Sequence, residues 1–206
     1  MSHHFHNGSS KKKLYSRESM VVKPLSLYSY QLLEKAEKLY GKRINVFSYD
    51  GMEANLENPG IRELKNENDK TVIRIQIPMA IIHNSEALVF ALGQQLFHVL
   101  CYDGKTPQNI LQTGTALIFA DILVTFVHDD TNYVSQLLRN NKKHIGLLDP
   151  YKAVTELLRK ESHAIMRLRE IQPVLGKVTK KDFRTAGIKV EPELLNYLLS
   201  PFPPTV

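Results

Sequence analysis

Ser85-Glu86-Ala87-Leu88-Val89-Phe90-Ala91-Leu92-Gly93-Gln94-Gln95-Leu96-Phe97-His98-Val99-Leu100 is the stretch from which the 206-residue chain is best read. Asn84 or Ser85 opens it as a helix cap, and Glu86 puts a carboxylate in the first turn, where the helix dipole favours it. Apolar residues fall on nearly every face, so the helix is expected to reach about Tyr102 and to be buried on most sides. Gln94 and His98 stand one turn apart and share a face, with Gln95 beside them.

Upstream, Leu32, Leu33, Ala36, Leu39 and Tyr40 give 27–40 a helical period, and Gly41 closes it. Residues 44–49 and 71–77 alternate as strands. Asp50-Gly51 and Asn58-Pro59-Gly60 read as turns, and the polar, acidic segment between the strands reads as a loop. Downstream, a second long apolar helix is expected from about Pro107 to His128. Asp149-Pro150 starts a third, running to about Ile171, and short helices follow at 180–185 and 192–199. The fold class is therefore α+β: a small antiparallel sheet, a buried central helix and a mainly helical C-terminal part. The division expected is a disordered leader at 1–24, a core at 25–130 and a basic helical extension at 131–206. His3, His4 and His6 in the leader suit an expression tag or a loose metal tract and are set aside.

Composition is that of an ordinary globular chain, 43% hydrophobic and 23% charged. The apolar runs are interrupted by His, Gln or Asp before the roughly 20 residues of a membrane span, so no membrane partner is expected. Cys101 is the single cysteine, which excludes an internal disulfide framework. With no secretory leader pattern, a cytosolic location is expected. The net charge is +6, and residues 139–189 hold 13 Lys/Arg against 5 Asp/Glu. That excess suits solvated helix faces, an acidic protein partner or a nucleic acid.

A zinc peptidase of the His-Glu-x-x-His kind needs two imidazoles one helical turn apart, with a glutamate to take the proton from metal-bound water. In this chain Gln94 stands at the first ligand position, Gln95 replaces the base and His98 alone survives. An amide is a weak neutral ligand and accepts no proton near neutral pH. Helix, strand, strand, this helix and then Ala116-Leu117-Ile118-Phe119-Ala120-Asp121-Ile122-Leu123 together resemble the ImmA/IrrE family of small zincin-like proteins. In that family the last helix resembles Glu-x-x-Ala-Asn-x-Phe-Ala-x-x-Leu-Leu and supplies a glutamate ligand. Here the Ala116…Phe119-Ala120 frame is kept, while Thr113 and Thr115 occupy the candidate ligand places.

The resemblance implies a minimal metallopeptidase core in a bacterial or phage-type setting, where the family cuts a repressor or regulator. The lost ligands and base imply instead a pseudo-peptidase that binds no metal and works by binding another protein, or a second copy of itself. Its relict site would be Gln94, Gln95, His98, Thr113, Thr115 and Asp121. A rearranged zinc or iron site of His98, Asp121 and His128 is the enzymatic alternative. A His…His-Asp…Asp phosphohydrolase set, with His98, His128-Asp129 and Asp149, is disfavoured by the strands. The remaining alternative is a nucleic-acid-associated regulator using residues 139–189.

Overall fold

Helix α1 spans 27–40 and buries Leu32, Leu33, Ala36 and Tyr40 of the stripe its period marks, while Leu39, at its edge, is exposed. In the computed structural model, residues 27–203 are described apart from 45, 56, 57, 67 and 143. The leader expected at 1–24 lies outside the described residues. Three strands follow: β1 (Ser48–Asn55), β2 (Gly60–Lys65) and β3 (Thr71–Pro78).

The α+β class is as expected, but the sheet is mixed rather than antiparallel. Its order is β1-β3-β2, with β1 parallel and β2 antiparallel to β3. The first strand also sits later than 44–49. Asp50-Gly51, read as a turn, lies inside β1, where the register shifts between Tyr49 and Met52 and Gly51 takes φ +81°. A glycine tolerates that conformation, so the two residues bulge and the strand continues. β2 replaces the expected loop. On the outer face of the sheet Arg62 and Arg74 stand directly opposite each other. Glu53 lies 3.2 Å from Arg62 and 3.6 Å from Arg74, which offsets their repulsion, and Asp50 pairs with Arg74 at 2.6 Å. Ile73, Ile75 and Ile77 point inward.

Helix α2 (Ser85–Leu100) and helix α3 (Ile110–His128) form an antiparallel pair at the centre. Gly93 faces Ala120 midway along it, and Ser85 meets His128 at one end. α3 is long and apolar enough to cross a membrane by length and composition, contrary to the sequence reading, but it is mostly buried inside the fold. It is the core helix. α1 lies along it through Tyr40 against Phe119 and Lys35 over the Phe126 ring.

The C-terminal part contains α4 (Tyr133–Asn140), α5 (Leu148–Lys160), α6 (Ala164–Ile171), α7 (Lys180–Thr185) and α8 (Pro192–Leu199). The single helix expected from Asp149 to Ile171 is broken at Glu161-Ser162-His163. Buried side chains on both sides of residue 130 join in one hydrophobic core, from Leu32 to Leu198.

Arg169 of α6, only 4% exposed, ties the two halves together. Its Nη1 donates to the carbonyls of Tyr40 (2.6 Å) and Gly41 (2.7 Å). Its Nη2 donates to those of Lys42 (2.8 Å) and Leu100 (3.0 Å), and its Nε to Pro173 O (3.3 Å).

Gly93 carries the closest approach of the central pair. A methyl group added there would stand 2.7 Å from Ala120 Cα and 3.1 Å from its Cβ, with α3 backbone unable to yield. Replacing glycine by alanine in a helix interior normally gains about 1 kcal/mol. Overpacking at this contact costs about 1–3 kcal/mol, so it wins. Gly93→Ala is therefore expected to lower the urea midpoint at unchanged m-value, and a raised midpoint would show that the helices are not in this contact.

Candidate functional site

Asn84 caps α2, its side chain accepting from Ala87 N at 2.8 Å. From that start the helix carries Gln94 and Gln95 to half-buried positions and His98 to a buried one, 7% exposed. Phe97, beside His98, is fully buried and meets Tyr40 edge-on at 5.2 Å.

Asn109 caps α3 and is buried at 4% exposure. Its side-chain oxygen accepts from Gln112 N, and its amide donates to Leu175 O, both at 2.8 Å. Gln112 in turn places Nε2 at 3.5 Å from Nδ1 of His98, a long contact in which the amide N–H points at the ring nitrogen. That arrangement needs the neutral Nε2–H tautomer. Burial alone pushes the imidazole down from 6.5 to about 4.

The set is closed from the C-terminal side. Gly176 lies over Gln112, where an added methyl would stand 2.6 Å from Pro107 O and 3.3 Å from Gln112 Oε1. Lys177 pairs with Asp103 at 2.7 Å. Burial pushes the Asp103 carboxyl up. The hydrogen bonds from Lys177, the Thr106 side chain and the amides of Thr106 and Lys105 outweigh that and hold it well below the usual carboxylate range.

The other expected residues are placed apart from this set. Thr113 donates to Gln108 Oε1 at 3.3 Å, and Thr115, fully buried, donates to Leu111 O at 2.6 Å. Gln112 is the α3 side chain whose polar group meets His98. Asp121 accepts from Tyr151 OH at 2.7 Å, while its second oxygen is buried with no hydrogen-bond partner among the described residues. Burial pushes the Asp121 carboxyl up, and the Tyr151 bond opposes this. His128 meets Ser85 Oγ at 3.2 Å, at the opposite end of α2 from His98.

The structure therefore does not bring His98, Asp121 and His128 together. The 13 residues from Ser85 to His98 span about 20 Å of helix. Among the described residues, no three His, Cys, Asp or Glu side chains are grouped to hold a metal ion. At His98 the donors are one imidazole, whose Nδ1 already faces an amide N–H, and neutral amides. That set does not fit zinc, which takes imidazole, thiolate and carboxylate. No family model, curated protein or solved structure matches the chain.

Sequence reasoning missed Gln112 and Arg169. Gln112 adjoins Thr113, where the family pattern directed attention, and Asn109 as the cap was the signal that fixes its turn. Arg169 stands four residues after Ile165, on the buried stripe of an amphipathic helix.

The depressed His98 sets a pH dependence. Between its folded value of about 4 and its unfolded value of 6.5, the unfolded chain binds the extra proton. Stability from the neutral imidazole is fully present above pH 6.5 and is lost as pH falls toward 4, by roughly 3 kcal/mol. Asp121, shifted upward, acts with the opposite sign and is common to both proteins in a comparison of wild type with His98→Gln. The difference in unfolding free energy between them is expected to change steeply over that window. A difference independent of pH would mean that His98 is not buried neutral.

Proposed function

We propose that this chain is a catalytically inactive, zincin-like protein that works as a protein-binding or regulatory module in the cytosol. The observation that carries the reading is the company His98 keeps. Gln94 and Gln95 precede it on the helix where the resemblance expects a second imidazole and a carboxylate, and the side chain that meets it from α3 is the neutral amide of Gln112. Neutral amides bind a metal weakly and take no proton from water near neutral pH. A neutral, buried imidazole paired to an amide is a structural element of a helix interface.

The order of elements supports the zincin-like part: a helix, a three-stranded sheet, the Gln94–His98 helix and a following helix that supplies the polar partner. Binding is assigned to another protein or to a second copy of the chain. The half-buried Gln94, Gln95 and Asp121 are the members of the relict set nearest to a partner, because His98, Thr113 and Thr115 are buried.

Elemental analysis of untagged protein, dialysed without chelator, separates this reading from a metallohydrolase. The expected result is zinc and iron far below one equivalent and unaltered in His98→Gln. A stoichiometric metal that is lost in His98→Gln, together with hydrolysis of a casein or ester substrate, overturns the proposal.

A further inference from the structure

The C-terminal part gathers basic side chains around one contact. Arg167 of α6 donates to the carbonyl of Ala186, just beyond α7, and pairs with Glu161 at 3.2 Å in the α5–α6 turn. This fixes the end of α5, the start of α6 and the exit of α7 against one another. Arg159 lies two residues before Glu161, Arg184 two before Ala186 and Lys189 three after it. Lys180 and Lys181 open α7, with Arg184 one turn further on. All five are exposed, and none of them makes an ion pair among the described residues.

Three of the nearby carboxylates are engaged, whereas Glu170 and Glu191 are exposed and make no ion pair among the described residues. Glu161 is held by Arg167 and Glu156 by Lys160 at 3.3 Å. Asp182 closes the α7 capping box, accepting from Thr179 N and Oγ1 at 2.7 Å. The five exposed cations therefore outnumber the three carboxylates there that no cation holds, Glu170, Asp182 and Glu191, on a frame fixed by Arg167.

We infer that Arg159, Lys180, Lys181, Arg184 and Lys189 form a surface that binds the phosphate backbone of a nucleic acid. The choice over an acidic protein follows from what the surface lacks. Phe183, Ala186 and Ile188, the apolar residues of α7 and its exit, are all buried. A protein interface is built around an exposed apolar or aromatic anchor ringed by polar groups. Cations on long stems, separated by helical turns and without such an anchor, suit a regularly repeated charge read without base contacts. The inference does not depend on the zincin-like reading.

Fluorescence anisotropy of the full chain with a short duplex DNA and with an oligo-uridine RNA tests it. Five phosphate contacts give a log–log salt slope of about −4, so affinity falls several hundredfold between about 50 and 200 mM salt. Lys180→Glu with Lys181→Glu and Arg184→Glu is expected to weaken binding by at least about tenfold at the lower salt. Arg159→Ala with Lys189→Ala, on other elements, is expected to make the slope shallower by about 2. A Lys11→Ala, Lys12→Ala, Lys13→Ala background keeps the N-terminal lysines out of the comparison. The RNA and DNA arms decide which backbone is preferred. The inference fails if neither is bound at low salt, if both patch variants bind like wild type, or if polyglutamate competes as well as the nucleic acids.

Discussion

Where α1 and α2 end, their last carbonyls have no partners within their own helices, and both ends lie inside the protein. Arg169 reaches this place from α6 and donates to Tyr40, Gly41, Lys42 and Leu100. Carbonyl ends of helices carry partial negative charge, so a guanidinium there satisfies hydrogen bonds and the helix dipoles together. A planar group with five donors is suited to several acceptors at once, whereas a lysine is not. Pro173 O takes the remaining direction and starts the segment that crosses over Gln112. The burial of His98, two residues before Leu100, thus depends on a side chain about seventy residues away.

That dependence bears on function. A helix one turn of which resembles a peptidase motif is held on one side by α3, through Gly93 against Ala120, and is closed at its end by Arg169 and the 173–178 segment. Cys101 sits at the same junction; burial pushes its thiol up, and Arg169 opposes the shift. His98 and Cys101 are both buried at this end of α2. The basic surface formed by the end of α5, α6 and α7 rests on the same α6 that carries Arg169, so the interior clamp also orients the outer face.

Much of the fold was legible because apolar period survives any context. The spans of α1, α2 and the two last helices follow directly from it. The sheet was harder to read. β2, Gly-Ile-Arg-Glu-Leu-Lys, is an edge strand with Arg62, Glu63 and Lys65 exposed, and in isolation that resembles a polar loop. Asp50-Gly51 carries the turn signature but serves as a bulge, because only pairing with β3 decides between the two. The break at Glu161-Ser162-His163 has no proline or glycine to announce it. At the candidate site the absence of a His-Glu pair was plain from Gln94 and Gln95, whereas Gln112 and Arg169 gain their roles from residues distant in sequence.

Native-state hydrogen exchange of wild type and Arg169→Met examines whether the clamp makes the two halves one unit. Amides near the ends of α1 and α2 and those of α6 are expected to share a common opening free energy in the wild type, and all three groups are expected to lose protection together in Arg169→Met. Exchange of residues 164–199 at a much lower free energy, with α1 and α2 unaffected by the substitution, would contradict it.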